Sequence, residues 1–339
     1  MARRRGAAVA PKKPADDRLD RALAGSPVVD AHSDLLWQLL EADPAGFVEG
    51  RPDKHVDLAR LREGRVGIQV LALFTPDGRF EHPVVRTLRM IDIAERLVVL
   101  CRGAATIARS AADLDAARAA GQVAFVLSIE NGIAVLDRLE LLRTYYRLGV
   151  RAIGLVWNGR NAIGDGVRET SSGGALTGFG REVVAEMERL GMVVDVSHLS
   201  RAGFWDVVTR TRRPFIASHS NARAVCDHVR NLDDEQVRAV AERGGVCGVA
   251  FETSFLATGR PATLDDVLRH VDHLVEVGGI DHVGFGSDFE GIEKTPSGLE
   301  HVGRYPALAA ALLDRGHDVA AVRKLLGGNF ERVFRGVLG

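Results

Sequence analysis

The side chains with the types and placement to bind divalent metal and move a proton are His32, Asp34, Glu130, His198, His219 and Asp288. His32 and Asp34 stand two apart, and in extended backbone residues i and i+2 share a face. Imidazole nitrogen and carboxylate oxygen are both ordinary zinc ligands. His198 in VDVSHLS and His219 in IASHSNA supply a second pair of imidazoles. One ion would take His32 and Asp34, a second His198 and His219, and the two oxygens of Glu130 would bridge them. Two ions about 3.5–4 Å apart hold a hydroxide between them, and Asp288 is left as a free carboxylate for general acid–base work. Taken singly, each residue has a plainer reading. A lone histidine after a strand is more often a hydrogen-bonded core residue than a ligand, and a lone acid there caps a helix. The choice rests on whether one fold gathers them.

The elements that must do so recur along the chain. Short β-branched apolar runs at 28–32, 66–74, 124–130, 152–157, 192–198, 215–219, 246–251 and 282–288 have the pattern of strands buried on both faces of a parallel sheet. Helical patterns lie between them. One spans 83–101. Another, TLDDVLRHVDHLVEV, opens on Thr263 and Asp266 in capping-box spacing and stops at Gly278–Gly279. A third, EQVRAVAERGG, follows Asp233 and Asp234, acids that favour a helix start. From residue 300 onward two or three helices are expected, with a joint at Gly327–Gly328. Eight strands alternating with helices predict an α/β fold, a (β/α)8 TIM barrel forming one catalytic domain over 26–339, behind a disordered basic tail and lead-in over 1–25. A doubly wound open sheet is the alternative. It is weakened because no GxGxxG follows the first strand and no GxxxxGK[ST] occurs. In a barrel the C-terminal strand ends form one rim, where active sites of this fold lie. His32, Asp34, Glu130, His198, His219 and Asp288 all fall there, which makes a set of unrelated accidents a poor explanation.

Composition bounds the rest. The 339 residues are 46% hydrophobic and 26% charged, which excludes disorder, collagen and disulfide scaffolds. A net charge of −1 argues against a cationic nucleic-acid binder. No run approaches the ~18–20 apolar residues of a membrane span. The N-terminal MARRRGAAVAPKKP lacks the apolar core of a secretory signal. The expectation is a cytoplasmic enzyme with a small-molecule substrate and neither nucleic-acid nor membrane partners. Cys101, Cys226 and Cys247 form no CxxC pair and read as reduced, buried thiols. His270 and His273, three apart on the capped helix, read as helix–barrel contacts; His55, His82, His228, His282, His301 and His317 read as loop or helix-end residues.

From about residue 28 the sequence resembles the membrane (renal) dipeptidase family, peptidase family M19. The resemblance is carried by VVDAHSDLLW, SIENG, DVSHLS, ASHSNARAVCDHVRNL, GIDHVGFGSDFEG and GGNFERVF. It implies a zinc-dependent dipeptidase on a (β/α)8 barrel, with two zinc ions bridged by Glu130. His32 and Asp34 would complete one site, His198 and His219 the other. Asp288 would pass the proton from bridging water to leaving amine. Arg230, in HVRNL, would grip the substrate's terminal carboxylate through a planar two-bond fork. Dipeptides, including those ending in a D-residue, are the implied substrates, and a homodimer is the implied oligomer. Two departures bear on the substrate. Animal members carry a histidine where Trp157 stands, followed here by Asn158. Tryptophan offers only one indole N–H donor, so Trp157, Asn158 or Asn161 takes over the substrate carbonyl, or the metal alone does. Phe251 and Glu252, in VAFETSFL, replace an Asn-Phe-Tyr type of segment and are expected to reshape the pocket. Two alternatives stand beside this reading: another binuclear amidohydrolase acting on a lactone or cyclic amide, and a non-catalytic metal-binding homologue.

Overall fold

The apolar runs become the strands of one parallel sheet. In the computed structural model, which describes residues 17–78 and 81–339, these are β1 (Val28–Asp30), β2 (Val66–Phe74), β3 (Ala105–Ile107), β4 (Val123–Glu130) and β5 (Val150–Gly154), followed by β6 (Val193–Asp195), β7 (Ile216–Ala217), β8 (Val246–Val249) and β9 (Val283–Phe285). Going round, the order is β2-β1-β9-β8-β7-β6-β5-β4, and β2 pairs with β4 from Ile68↔Ala124 to Phe74↔Glu130. That last pairing closes the ring. The result is the expected (β/α)8 barrel, and the open doubly wound sheet is excluded.

β3 is a ninth strand that the sequence pattern did not announce. It pairs with Val123–Phe125 of β4, on the stretch of β4 that lies before β5 joins at Leu127. Three residues are too few to carry a periodic signal.

Alternation along the strands separates two cores. Ile68 and Val70 of β2 join Val29, Val126, Val193, Ile216 and Val246 in one cluster, and Leu71 and Leu73 belong to the larger layer under the helices. The last helix, Asn329–Leu338, adds Phe330 and Phe334 to the first cluster. A π-turn over Lys324–Gly328 leads into that helix, where the glycine joint was expected. Gly327 is required there because a Cβ would fall 2.1 Å from the Pro27 carbonyl oxygen.

Helix ends follow the predicted chemistry. Thr263 and Asp266 form a reciprocal capping box for Leu264–Gly278, and Asp233 with Gln236 forms another for Asp234–Glu242. The three cysteines are buried and unpaired. Among the described residues no helix is long and apolar enough to cross a membrane. Of the tail expected over 1–25, residues 1–16 lie outside the described residues. Asp17–Leu23 is a helix rather than disordered chain: Ala22 is buried, and Arg323 Nε donates to the Arg21 carbonyl at 2.9 Å.

Candidate active site

Two strands end in the same three letters, VVD, and both ends work alike. The Asp30 carboxylate, closing β1, accepts the Ser287 N–H at 2.8 Å and the Ser287 hydroxyl at 2.7 Å. The Asp195 carboxylate, closing β6, accepts the N–H groups of Ser197 and Ser218, each at 3.0 Å, and the Ser218 hydroxyl. Each buried acid thereby ties its own strand end to the loop after another strand. The repeated VVD before a histidine is a signal that sequence reasoning could have used and did not.

The expectation that Glu130, His198, His219 and Asp288 each end a strand needs correction, whereas His32 and Asp34 follow theirs as expected. Only Glu130 is the last residue of its strand; His32, His198, His219 and Asp288 lie beyond theirs, in the first turn of the loop. His198 and Asp288 take left-handed backbone, with φ of 68° and 65°. Such residues cost about 1–3 kcal/mol each and persist where the surroundings over-determine them. The Asp288 N–H donates to the His32 carbonyl at 3.1 Å, and the Val167 N–H to the His198 carbonyl at 2.9 Å.

The tertiary structure brings all six residues together. Glu130 Oε2 lies 3.3 Å from His32 Nε2, which is also 3.6 Å from Asp34 Oδ2 and 3.9 Å from Asp288 Oδ1. Glu130 Oε1 lies 3.0 Å from His198 Nε2 and 3.8 Å from His219 Nε2. Gly291 lets this happen, since a Cβ there would fall 2.2 Å from Asp34 Oδ2.

Neighbouring residues decide which nitrogen of each imidazole is free. His219 Nδ1 lies 2.7 Å from Ser218 Oγ, whose own proton goes to Asp195, so the imidazole is the donor. His198 Nδ1 donates to Asn158 Oδ1 at 2.9 Å. Both Nε2 atoms are then left as lone pairs, 2.9 Å apart, beside a carboxylate oxygen. Three acceptors with no proton among them call for a cation. In the other half, His32 Nε2 and Asp34 Oδ1 are buried without a hydrogen-bond partner. The donor set of imidazoles and carboxylates fits a divalent transition metal.

The electrostatics agree. Burial by itself would raise the Glu130 pKa, but the His32 and His198 imidazoles outweigh it and hold the carboxyl well below the usual range. Burial and the Glu130 charge push Asp34 up to about 6. Burial lowers His32, yet Glu130 and Asp34 more than reverse this and its pKa lies well above that of a free imidazole. Burial, then the Arg230 charge, brings His198 down to about 3.

A cavity of about 620 Å³ opens onto the cluster. Its lining includes Trp37, Phe74, Trp157, Arg86 and Arg168, and also His228, Arg230, Glu252 and Phe255.

Comparison with known proteins turns this geometry into an identity. The family model for membrane dipeptidase (peptidase family M19) matches residues 16–338. The crystal structure of dipeptidase AC, a metallopeptidase of family M19, is 34% identical, covers 93% of this chain and 99% of its own, and superposes with a TM-score of 0.86. A metallopeptidase from Rhodobacter sphaeroides, crystallised with a phosphinate mimic of the dipeptide L-Ala-D-Ala, is 31% identical over 92% of this chain and 99% of its own, also at 0.86. An amidohydrolase from Pseudomonas aeruginosa is 26% identical over 95% and 99%, at 0.82. The chain belongs to the membrane dipeptidase family, M19. It is a metal-dependent dipeptidase, a hydrolase of small peptide substrates.

In this M19 dipeptidase the remaining predicted residues divide. Arg230 is 5% exposed, donates Nη2 to the His219 carbonyl at 3.2 Å, and keeps a buried Nε with no partner. Burial lowers its pKa to about 10, against the favourable charges of Asp288 and Glu130. Trp157 lines the cavity with its ring 6.1 Å from that of His198. Asn158 lines it too, but its carbonyl oxygen is engaged by His198. Asn161 is consumed within its loop: its Nδ2 donates to Asn131 Oδ1 and the Leu155 carbonyl, and its Oδ1 accepts from Ile163. Phe251 does not shape the cavity as expected. It is 1% exposed, packed against Phe289 and Phe285. Glu252 does reach the cavity. His270 and His273 are the structural histidines expected: His270 bridges the Ala222 N–H and the Leu256 carbonyl, and His273 bonds Asp234.

Proposed function

We propose that this dipeptidase works with two zinc ions, one held by His32, Asp34 and Glu130, the other by Glu130, His198 and His219, with Asp288 beside them. Glu130 carries the proposal. Its two oxygens face different imidazole partners, Oε2 toward His32 and Oε1 toward His198 and His219, so one carboxylate spans two donor sets. When bound, such ions polarise the scissile carbonyl and acidify a water molecule.

The chain's own residues do the rest. Arg230 receives the substrate's terminal carboxylate, because its guanidinium is buried, lines the cavity and has an N–H still unpaired. That grip restricts the substrate to a length at which the amide reaches Glu130. Asp288 exchanges the proton with the leaving amine. Its side chain is 16% exposed, against 5% for Asp34 and 8% for Glu130, so it has the freest access to the cavity of the three acids. Asn158 and Ser218 hold His198 and His219 in the tautomer that points Nε2 inward. The dipeptide mimic held by the Rhodobacter sphaeroides metallopeptidase ends in D-Ala, which supports L-D dipeptides as substrates beside L-L ones.

The test is chelation, followed by zinc titration with metal analysis and a panel of L-L and L-D dipeptides. Activity should rise until two equivalents are bound. Full activity at one equivalent would refute the paired sites, and the absence of L-D cleavage would refute the D-residue assignment.

A further inference from the structure

We propose that the cavity selects dipeptides with an acidic side chain on the residue amino-terminal to the scissile bond, read by Arg86 and Arg168. This rests on the dipeptidase reading above and narrows its substrate class.

The topology sets the direction. On the eight-strand ring β2 and β7 are four places apart, on opposite sides of the barrel. Arg230 follows β7. Arg86 is anchored at the end of β2, where its Nε donates to the Phe74 carbonyl at 3.0 Å. A dipeptide with its terminal carboxylate on Arg230 and its amide over Glu130 therefore extends its first residue toward Arg86.

The wall it meets is aromatic and cationic. Trp37, Phe74 and Trp157 stand in a row of edge contacts, each step 5.2 Å between ring centroids. The Arg168 guanidinium lies 5.6 Å from the Trp157 ring centroid. The acids near Arg86 are taken by another residue: Arg89 pairs with Glu81 at 2.8 Å and with Glu41 at 3.5 Å. Among the described residues neither Arg86 nor Arg168 has a carboxylate within ion-pair distance. Two guanidinium groups thus line the cavity with no carboxylate paired to them, Glu81 and Glu41 acting on Arg86 only from beyond ion-pair distance, and an apolar backing strengthens their attraction for an anion.

The rings alone would suit an apolar side chain equally well. The arginines would not, because such a side chain strips water from their N–H groups and returns no acceptor. A carboxylate returns charge-assisted hydrogen bonds. Near Arg230 the sign reverses, since Glu252, which follows β8, lines the cavity with His228 and Arg230. An acidic side chain on the second residue meets that carboxylate.

The test compares kcat/KM of the metal-loaded enzyme for L-Glu-L-Ala, its isostere L-Gln-L-Ala, and the reversed L-Ala-L-Glu, at low salt. L-Glu-L-Ala should lead L-Gln-L-Ala by roughly tenfold, the size of a charge-assisted contact at a partly exposed site, with L-Ala-L-Glu below both. Arg168→Gln should bring the first ratio toward one, mainly through KM, and Arg168→Glu should turn the preference to L-Lys-L-Ala. Should these variants not fold, the wild-type ratio and its decline with added salt decide the matter. Equal turnover of L-Glu-L-Ala and L-Gln-L-Ala overturns the specificity and leaves the dipeptidase reading standing. Turnover of neither these nor any other dipeptide overturns both.

Discussion

Replacing Asn158 by alanine separates two roles that the sequence left open. Asn158 and His198 are both buried, and the Asn158 carbonyl oxygen accepts from His198 Nδ1 at 2.9 Å. Without metal, the imidazole of the variant can move its proton to Nε2 and donate to Glu130, 3.0 Å away. With metal at Nε2 that escape is closed, and the Nδ1–H is left buried with no acceptor. An unsatisfied buried donor costs about 1–3 kcal/mol, and the cost falls on the metal-bound state. Zinc affinity should therefore drop by roughly tenfold to a hundredfold, the range found when such supporting hydrogen bonds are removed. The assay is competition with a chromophoric chelator, on the wild type, Asn158→Ala and Asn158→Asp. Asp keeps an acceptor at the same place and should recover most of the affinity. Unchanged zinc affinity in Asn158→Ala, with kcat lost at saturating zinc, would refute the positioning role and make Asn158 a substrate-carbonyl donor instead.

Three further outcomes follow from other residues. His270 is buried, and burial holds its pKa at about 4 against 6.5 for a free imidazole. The unfolded chain therefore takes up a proton first as pH falls. The neutral histidine's contribution is complete above pH 6.5 and is lost between there and pH 4, roughly 3 kcal/mol over the window. His270→Gln, which keeps an acceptor for Ala222 and a donor for Leu256, should flatten this slope in denaturant unfolding at pH 7.5 and 5. Identical slopes in the two proteins would rule it out. Gly291→Ala places a methyl against Asp34 Oδ2 and Asp288 Oδ1; metal retained after dialysis should fall by about tenfold or more, whereas full retention would show that the carboxylates can yield. Arg230→Ala should raise KM for dipeptides with a free carboxylate and leave their C-terminal amides little affected. An equal loss on both would show that Arg230 does not grip the chain end.

Much of the fold and of the metal cluster was legible in the residues. Strands buried on both faces write continuous apolar runs, and all eight barrel strands were found this way. The capping boxes at Thr263 and Asp233 are local chemistry within four residues, so they too were readable. So were the six metal-type side chains, because barrel topology turns a position after a strand into a position on one rim. Several features lie outside that reach. β3 is too short to have a period. The left-handed backbone of His198 and Asp288 has no glycine to mark it, since contacts made by distant loops impose it. Phe251 and Glu252 are neighbours on the chain, yet one is buried in the core and the other faces the cavity, a division set by packing around β8.

By itself, then, the sequence determined the architecture, the cluster of ligand-type residues and the family, because each is written in local patterns repeated at strand ends. Only the tertiary structure decided how those residues serve one another. It gave Asn158 to His198 and Asp195 to Ser218, aimed the two oxygens of Glu130 at different imidazoles, and set Arg86 and Arg168 in the lining of the cavity. The physical reason is distance along the chain: hydrogen-bond partners 23 to 257 residues apart, from Asp195 and Ser218 to Asp30 and Ser287, leave no mark on either local sequence. They are chosen when the ring closes.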